Sequence, residues 1–198
     1  RDGDPEAPED EAARLAAEAS YAELIAGIFA AQLARARAAI ESTEALSPDL
    51  GGFWIAEQAT TARELTPLYT KVLAEAAEQG AAQVAIGVDW ELVNLEVLKL
   101  ARLEAATLAA QITGTSKAGI AAIIEDWIST GGTLKELSQR IAAVYPEVRA
   151  KTIAATEITR LYARGNALAW QRLKVVSQYQ WQTAREERVC PLCGPSRG

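Results

Sequence analysis

The sequence predicts a mainly α-helical chain: a multi-helix assembly of long helices with a small β-containing C-terminal tail. Three observations predict it. An Ala-rich opening carries apolar residues at helical spacing. Caps and breakers then set off one long segment after another. β-Propensity rises only after residue 173. With 198 residues, 49 % of them apolar, the chain is long enough for one large domain or two small ones.

Each element has its own justification. Residues 1–11, Arg1 to Glu11 with Pro5 and Pro8, hold six acids and one base and read as a disordered acidic lead-in. From Glu11 to about Ser42, apolar positions at Leu15, Ala19, Ala22, Ile25, Phe29, Leu33 and Ile40 form a 3.6-type stripe. The run Ser47-Pro48-Asp49-Leu50-Gly51-Gly52 breaks that helix. A second helix is expected from Phe53 to Gln79, with Pro67 as a kink or junction and Gly80 as its end. Asp89 is placed to cap a helix from Trp90 to Ile112, with Trp90, Val93, Val97, Leu100, Ala101 and Leu108 on one face.

Thr113-Gly114-Thr115-Ser116 reads as a turn and cap before a helix from Lys117 to Ser129, which ends at Gly131-Gly132. Thr133 and Glu136 have capping-box spacing, so hydroxyl and carboxylate each reach the other's backbone amide. That helix stops near Tyr145-Pro146, and the last long helix is predicted over 147–173. Beyond it, Val175, Val176, Tyr179 and Trp181 favour strand. The expected organisation is a lead-in over 1–11, an N-terminal helical region over 12–86, a helical core over 87–173 and a β-containing tail over 174–198.

Composition narrows the function classes. No uncharged run reaches the roughly 18 residues of a membrane span, and the acidic opening lacks the basic start of a secretory signal. Methionine is absent throughout, so a piece of a longer product is expected. Two cysteines make no disulfide framework, which points to a reducing compartment. The formal charge of −6 is unevenly spread: residues 1–11 carry −5, residues 12–134 carry −7 and residues 135–198 carry +6. Either the basic end faces an acidic protein or nucleic acid, with Arg149, Lys151, Arg164, Arg172 and Lys174 as contact candidates, or it is a solvated face.

Chemistry-bearing patterns are few. Histidine is absent, so a serine or cysteine nucleophile has no imidazole base. Gly114, Gly119, Gly131 and Gly132 form no phosphate-cradling loop. Glu125-Asp126 and Glu186-Glu187 are sequence neighbours whose side chains diverge on a helix. The five tryptophans, Trp54, Trp90, Trp127, Trp170 and Trp181, suit core packing better than stacking on a ligand. Glu157 lies one helical turn before Arg160, within ion-pair reach, and Thr156 and Thr159 can bond back to carbonyls. This group is either helix surface or a buried polar knot docking the helix on the tail. Cys190 and Cys193, the only thiols, sit three apart in a Gly/Pro turn. They supply half of a tetrahedral zinc site, completed beyond residue 198 or by another chain. The alternatives are a redox dithiol or an inert turn.

Taken in order, residues from about Gly87 to Gly194 resemble the phage head-morphogenesis family, the minor head proteins similar to Mu protein F. The resemblance rests on Asp89-Trp90-Glu91-Leu92-Val93-Asn94, Ile112-Thr113-Gly114-Thr115, and Gly131-Gly132 before Leu134 and Leu137. It continues through Arg149-Ala150, Ile153-Ala154, Thr156-Glu157 and Gly165 to Trp181-Gln182-Thr183-Ala184 and the turn from Arg188 to Cys193. Residues 1–86 carry little of it. The family pattern runs on to a histidine and further cysteines, which this sequence lacks, and often has Asp where Glu187 stands.

The resemblance implies a low-copy virion component, inside the head or at the portal vertex. It would assist head assembly or DNA packaging, with portal or capsid proteins, and packaged DNA, as partners. It also brings a rival, since members of the family have been compared with ADP-ribosyltransferases. Thr156-Glu157 or Glu186-Glu187 would then be catalytic, although no matching arginine and serine partners can be assembled. A zinc-dependent nucleic-acid adaptor is the other alternative. The reading the residues favour is assembly without turnover.

Overall fold

The computed structural model describes residues 8–42, 50, 52–83 and 90–173. The described residues are mainly α-helical and contain no strand. Five helices follow in order: α1 (Pro8–Glu41), α2 (Phe53–Gln83), α3 (Trp90–Thr130), α4 (Leu134–Ala142) and α5 (Glu147–Leu173). The β-containing tail and its Cys190-Pro191-Leu192-Cys193 turn lie outside the described residues, as do the proposed cap Asp89 and most of the 47–52 breaker.

Three boundaries differ from the sequence expectation. The acidic lead-in is shorter than expected, because α1 already begins at Pro8; a first-turn proline gives up an amide hydrogen that no helix uses there. Gly80 does not end α2, which continues to Gln83. It is instead a contact point, since a Cβ there would lie 2.9 Å from the Asn166 Cα. Thr113-Gly114-Thr115-Ser116 is not a turn, because α3 runs through it as one 41-residue helix. Thr113 and Thr115 bond back to the Ala109 and Gln111 carbonyls at 2.7 and 2.8 Å, so their hydroxyls accept the helical path instead of capping a new one. Pro67 likewise leaves α2 unbroken and lies on its exposed side, where water can take the hydrogen bond it removes.

The α3–α4 connection matches its sequence. Gly131 adopts φ +75° and Gly132 φ +151°, backbone states open to glycine. The Gly131 amide returns to the Trp127 carbonyl at 2.9 Å, closing α3 in the left-handed manner. Thr133 then caps α4: its hydroxyl accepts from the Glu136 amide at 3.2 Å, while its own amide donates to Glu136 Oε2 at 2.7 Å. That backbone hydrogen bond holds the Glu136 carboxyl below the usual carboxylate range.

α2 is the central helix and meets both α3 and α5 along much of their length, while α1 packs chiefly on α5. The main core draws from all four long helices, including Tyr21, Ile25, Leu65, Leu73, Ala105, Ile112, Ile158 and Leu161. The regions on either side of residue 86 therefore share one core. A second cluster gathers Ala36, Ile40, Trp54, Ile120, Ile124, Leu137 and Ile141 where the end of α1 and the start of α2 meet distal α3 and α4. The buried stripe of α1 runs through Tyr21, Ile25, Ile28, Phe29, Gln32, Ala36 and Ile40. Leu15 and Ala19, which the expected stripe includes, are exposed.

The depth of the α2–α5 crossing is set by small residues. A Cβ on Gly165 would collide with Ala76 and come within 2.9 Å of the Leu73 carbonyl oxygen, which is backbone and cannot step aside. Trp170 locks the same crossing by donating its indole N–H to the Gly80 carbonyl at 3.0 Å. Replacing Gly165 by alanine is therefore expected to destabilise the protein by about 2 kcal/mol, the usual range for overpacking. Gly27→Ala, in open space on α1, should be neutral or stabilising by up to about 1 kcal/mol. Urea denaturation of the two variants checks both signs.

Candidate functional site

The polar group at Glu157 and Arg160 is buried, and among the described residues it docks α5 on α2 and α3; the tail lies outside them. Glu157 lies on the same α5 face as Ala150, Ala154, Ile158 and Leu161, all buried. Its Oε2 accepts from the Tyr69 hydroxyl of α2 at 2.6 Å. Arg160 closes a fork on it, Nε to Oε1 at 3.1 Å and Nη2 to Oε2 at 2.5 Å. The third corner of that guanidinium, Nη1, reaches Glu104 of α3. Arg164 adds a contact to the other Glu104 oxygen at 2.8 Å. Two nearly buried carboxylates are thus matched by two guanidinium groups and a phenol, the pairing that buried charges require. Thr156 and Thr159 take no part; they are exposed and bond to the Thr152 and Ala155 carbonyls of their own helix.

Burial by itself would lower the Arg160 pKa, but the hydrogen bonds to Glu157 and Glu104 outweigh it and hold the value above the ordinary one. Tyr69 is shifted upward, first by burial and then by Tyr21 and Glu157 beside it. Tyr21, whose ring centroid is 6.1 Å from that of Tyr69, is raised by burial too. Both Glu157 oxygens already accept hydrogen bonds, so the arrangement clamps three helices.

A second charged group ties α1 to α2. Glu57, nearly fully buried, takes Arg35 Nε at 2.8 Å and Nη2 at 2.6 Å, with Gln32 Nε2 at 3.3 Å. Glu64 reaches the same guanidinium at 3.5 Å. Sequence reasoning overlooked Glu57, Glu104, Tyr69, Arg35 and Gln32. A signal was present: Glu57 falls in helical register with Trp54, Thr61 and Leu65, and Glu104 lies between Ala101 and Leu108. A charge on an apolar stripe announces a buried partner.

The basic contact candidates are largely engaged within the chain. Arg149 packs inside, its guanidinium 4.9 Å from the Phe29 ring centroid and bonded to Ser116, Val144 and Ile112. Lys151 pairs with Glu147 at 2.7 Å, Arg164 with Glu104, and Arg172 with Glu96 at 2.8 Å. Lys174, Cys190, Cys193 and Glu186-Glu187 lie outside the described residues. Among the described residues no group of three or more metal-ligating side chains converges, and no helix is long and apolar enough to cross a membrane. Trp54 is buried, whereas Trp127 and Trp170 are half-buried. Asp126 is exposed and pairs with Arg140 at 2.5 Å.

No family model matches the chain, and comparison with curated proteins and with solved structures found no match either.

Removing one partner of the clamp leaves a charge without its counterpart, so Glu104→Gln should destabilise by about 3 kcal/mol, near the lower end for breaking a buried pair because Arg160 keeps some access to water. Thr156→Ala should change stability by less than about 0.5 kcal/mol. Thermal denaturation of the two variants checks the contrast. Tyr69 and Tyr21 ionise at higher pH in the folded than in the unfolded chain. Their contribution is therefore complete below an unfolded pKa near 10 and is lost as pH rises beyond it. The melting midpoint should hold between pH 8 and 9.5 and fall at pH 11, and Tyr69→Phe should flatten that fall.

Proposed function

We propose that the chain is a structural minor head protein of a tailed phage or prophage, acting by docking helical faces on portal or capsid proteins. The reading rests on the family resemblance over residues 87–194 and on one structural observation, the outer face of α1. Exposed positions between residues 16 and 38 include Ala16, Ser20, Leu24, Gly27, Ala34 and Ala38, and Glu23 is the one exposed charge among them. A helix that ends against water ordinarily carries charge on its outer face. Here Arg35 and Arg37 are half-buried, bonded to Glu57 and to the Ser138 carbonyl, so the outer face is left to small side chains. Such a surface suits another helix at close range.

The role follows from that geometry. The clamp and the Arg35–Glu57 group keep the bundle rigid, and α1 presents a long, nearly uncharged face to a partner. Protein docking is favoured over contact with packaged DNA by the bare face of α1. Of the basic candidates Arg149 is drawn inside, whereas Lys151, Arg164 and Arg172 stay exposed, Lys151 and Arg172 in weak surface ion pairs. In this reading the protein belongs inside the head or at the portal vertex, having assembled in the host cytoplasm. Zinc, if held by Cys190 and Cys193, would serve the tail and not the bundle.

The test is hydrogen exchange with and without the portal protein encoded in the same genome. Amides of residues 15–41 should slow at least tenfold in the mixture, and the two proteins should co-migrate on gel filtration. Gly27→Arg and Ala34→Arg, which place charge on the bare face, should abolish co-migration while leaving the melting midpoint within a few degrees. Equal exchange with and without portal protein, and no co-migration, overturns the docking role. A shift of duplex DNA that weakens with salt, in the absence of portal protein, would instead favour the nucleic-acid reading.

A further inference from the structure

We propose that residues 117–143, the distal limb of α3 together with α4, form a flap that opens as a unit while the rest of the bundle stays folded. Its hinges are Thr113–Ser116 and the Tyr145-Pro146 turn, and the Arg149 guanidinium is its latch. This rests on packing alone and holds whether or not the chain is a head protein.

The apolar contacts of α3 divide at the hinge. Val97, Ala101, Ala105, Leu108, Ala109 and Ile112 belong to the main core. Ile120 and Ile124 belong to the second cluster with Leu137 and Ile141 of α4. Between them the buried positions turn polar, Thr113 and Ser116, and a Cβ on Gly114 beside them would enter open space. A Thr-Gly-Thr-Ser run is the weakest helix-forming stretch of α3. It falls where the core is interrupted.

Arg149 braces that point. From the first turn of α5 it donates to the Ile112 carbonyl at 3.1 Å, to Ser116 Oγ at 3.3 Å and to the Val144 carbonyl at 3.1 Å. One guanidinium thus joins both hinges to α5, with the Phe29 ring of α1 against it. Among the described residues its partners are two carbonyls, a hydroxyl and a ring, with no carboxylate. Arg160, by contrast, is held by two carboxylates. A half-buried cation with only neutral partners is a closure that can be released.

The flap seats imperfectly. The indole nitrogens of Trp54, in the second cluster, and of Trp127, packed against it, are buried with no hydrogen-bond partner among the described residues. Opening would let water reach the Trp54 nitrogen, whereas that of Trp127 lies against Gly132 within the flap and travels with it. Opening would also uncover Ala36, Ile40 and Trp54 on one side and Ile120, Ile124, Leu137 and Ile141 on the other. The outer attachments that resist opening are the Arg37 bond to the Ser138 carbonyl at 3.0 Å and the apolar contacts themselves. Arg140–Asp126 lies within the flap and travels with it.

Native-state hydrogen exchange read by mass spectrometry on the full chain tests this. In the unaltered protein, amides of 117–141 should exchange together, at least tenfold faster than those of 65–77 and 154–161. Arg149→Met, which keeps the stem and removes the donors, should widen that gap about tenfold further. Gly114→Ala, placed in open space, should narrow it severalfold by strengthening the hinge helix. The second variant keeps the test decisive if the first fails to fold. Flap and bundle exchanging at one common rate in the unaltered chain, or a gap that Gly114→Ala leaves unchanged, overturns the proposal.

Discussion

The depth at which α5 sits on α2 governs most of what else the bundle does. Gly165 lies against the backbone of residues 73–77, and Gly80 against Asn166. With no Cβ at either contact, the helices approach more closely than side-chain packing alone would allow. That approach carries Glu157 under the Tyr69 hydroxyl and leaves Arg160 within reach of Glu104. A larger residue at either glycine would push the helices apart and lengthen several charge-assisted bonds at once. Tight packing and buried charge are therefore one constraint: the carboxylates tolerate burial because the crossing delivers their partners.

The distribution of charge follows the same logic. Helices that place arginine and glutamate toward the interior have fewer charges left for the outside, and α1 is the extreme case. Arg35 and Arg37 turn toward α2 and α4, so between residues 16 and 38 the outer side of the helix is alanine, glycine and serine with Leu24 and one exposed charge, Glu23. The resulting surface is apolar without being bulky, which suits the close approach of a second helix better than it suits a small ligand. The excess of positive charge in the C-terminal third, conspicuous in the linear sequence, loses much of its meaning once the chain folds. Among the described residues six of its cations, Arg140, Arg149, Lys151, Arg160, Arg164 and Arg172, lie beside acids or carbonyls supplied by other turns and other helices.

Stability is also unevenly spread along α3. Its first half is buried against α2 in the main core, and its second half leans on a smaller cluster, in and against which two indole nitrogens have no partner among the described residues. A long helix can thus be continuous in backbone while belonging to two packing units. Arg149 stands at the boundary, and burial lowers its pKa because no carboxylate offsets the loss of water.

Helix identity was legible in the sequence because local chemistry decides it. The Thr133–Glu136 box, the Gly131-Gly132 stop and the span of α5 all depend on neighbours within a few residues, and all three hold. The Cys190–Cys193 turn was equally plain as a pattern, yet its surroundings lie outside the described residues. Three things were beyond local reading. Gly80 and the Thr113–Ser116 run look like breaks, and only the helices packed across them show that the chain passes through as helix. Glu157 was visible as a partner for Arg160, one turn away, whereas Tyr69, 88 positions from Glu157, and Glu104, 56 positions from Arg160, meet them only in the folded bundle. Propensity and capping act over one or two turns, so the linear sequence determined which segments are helical. Contacts between distant segments have no local signature, so the tertiary structure alone decided which charges are buried, which are shared, and which face of α1 is left open.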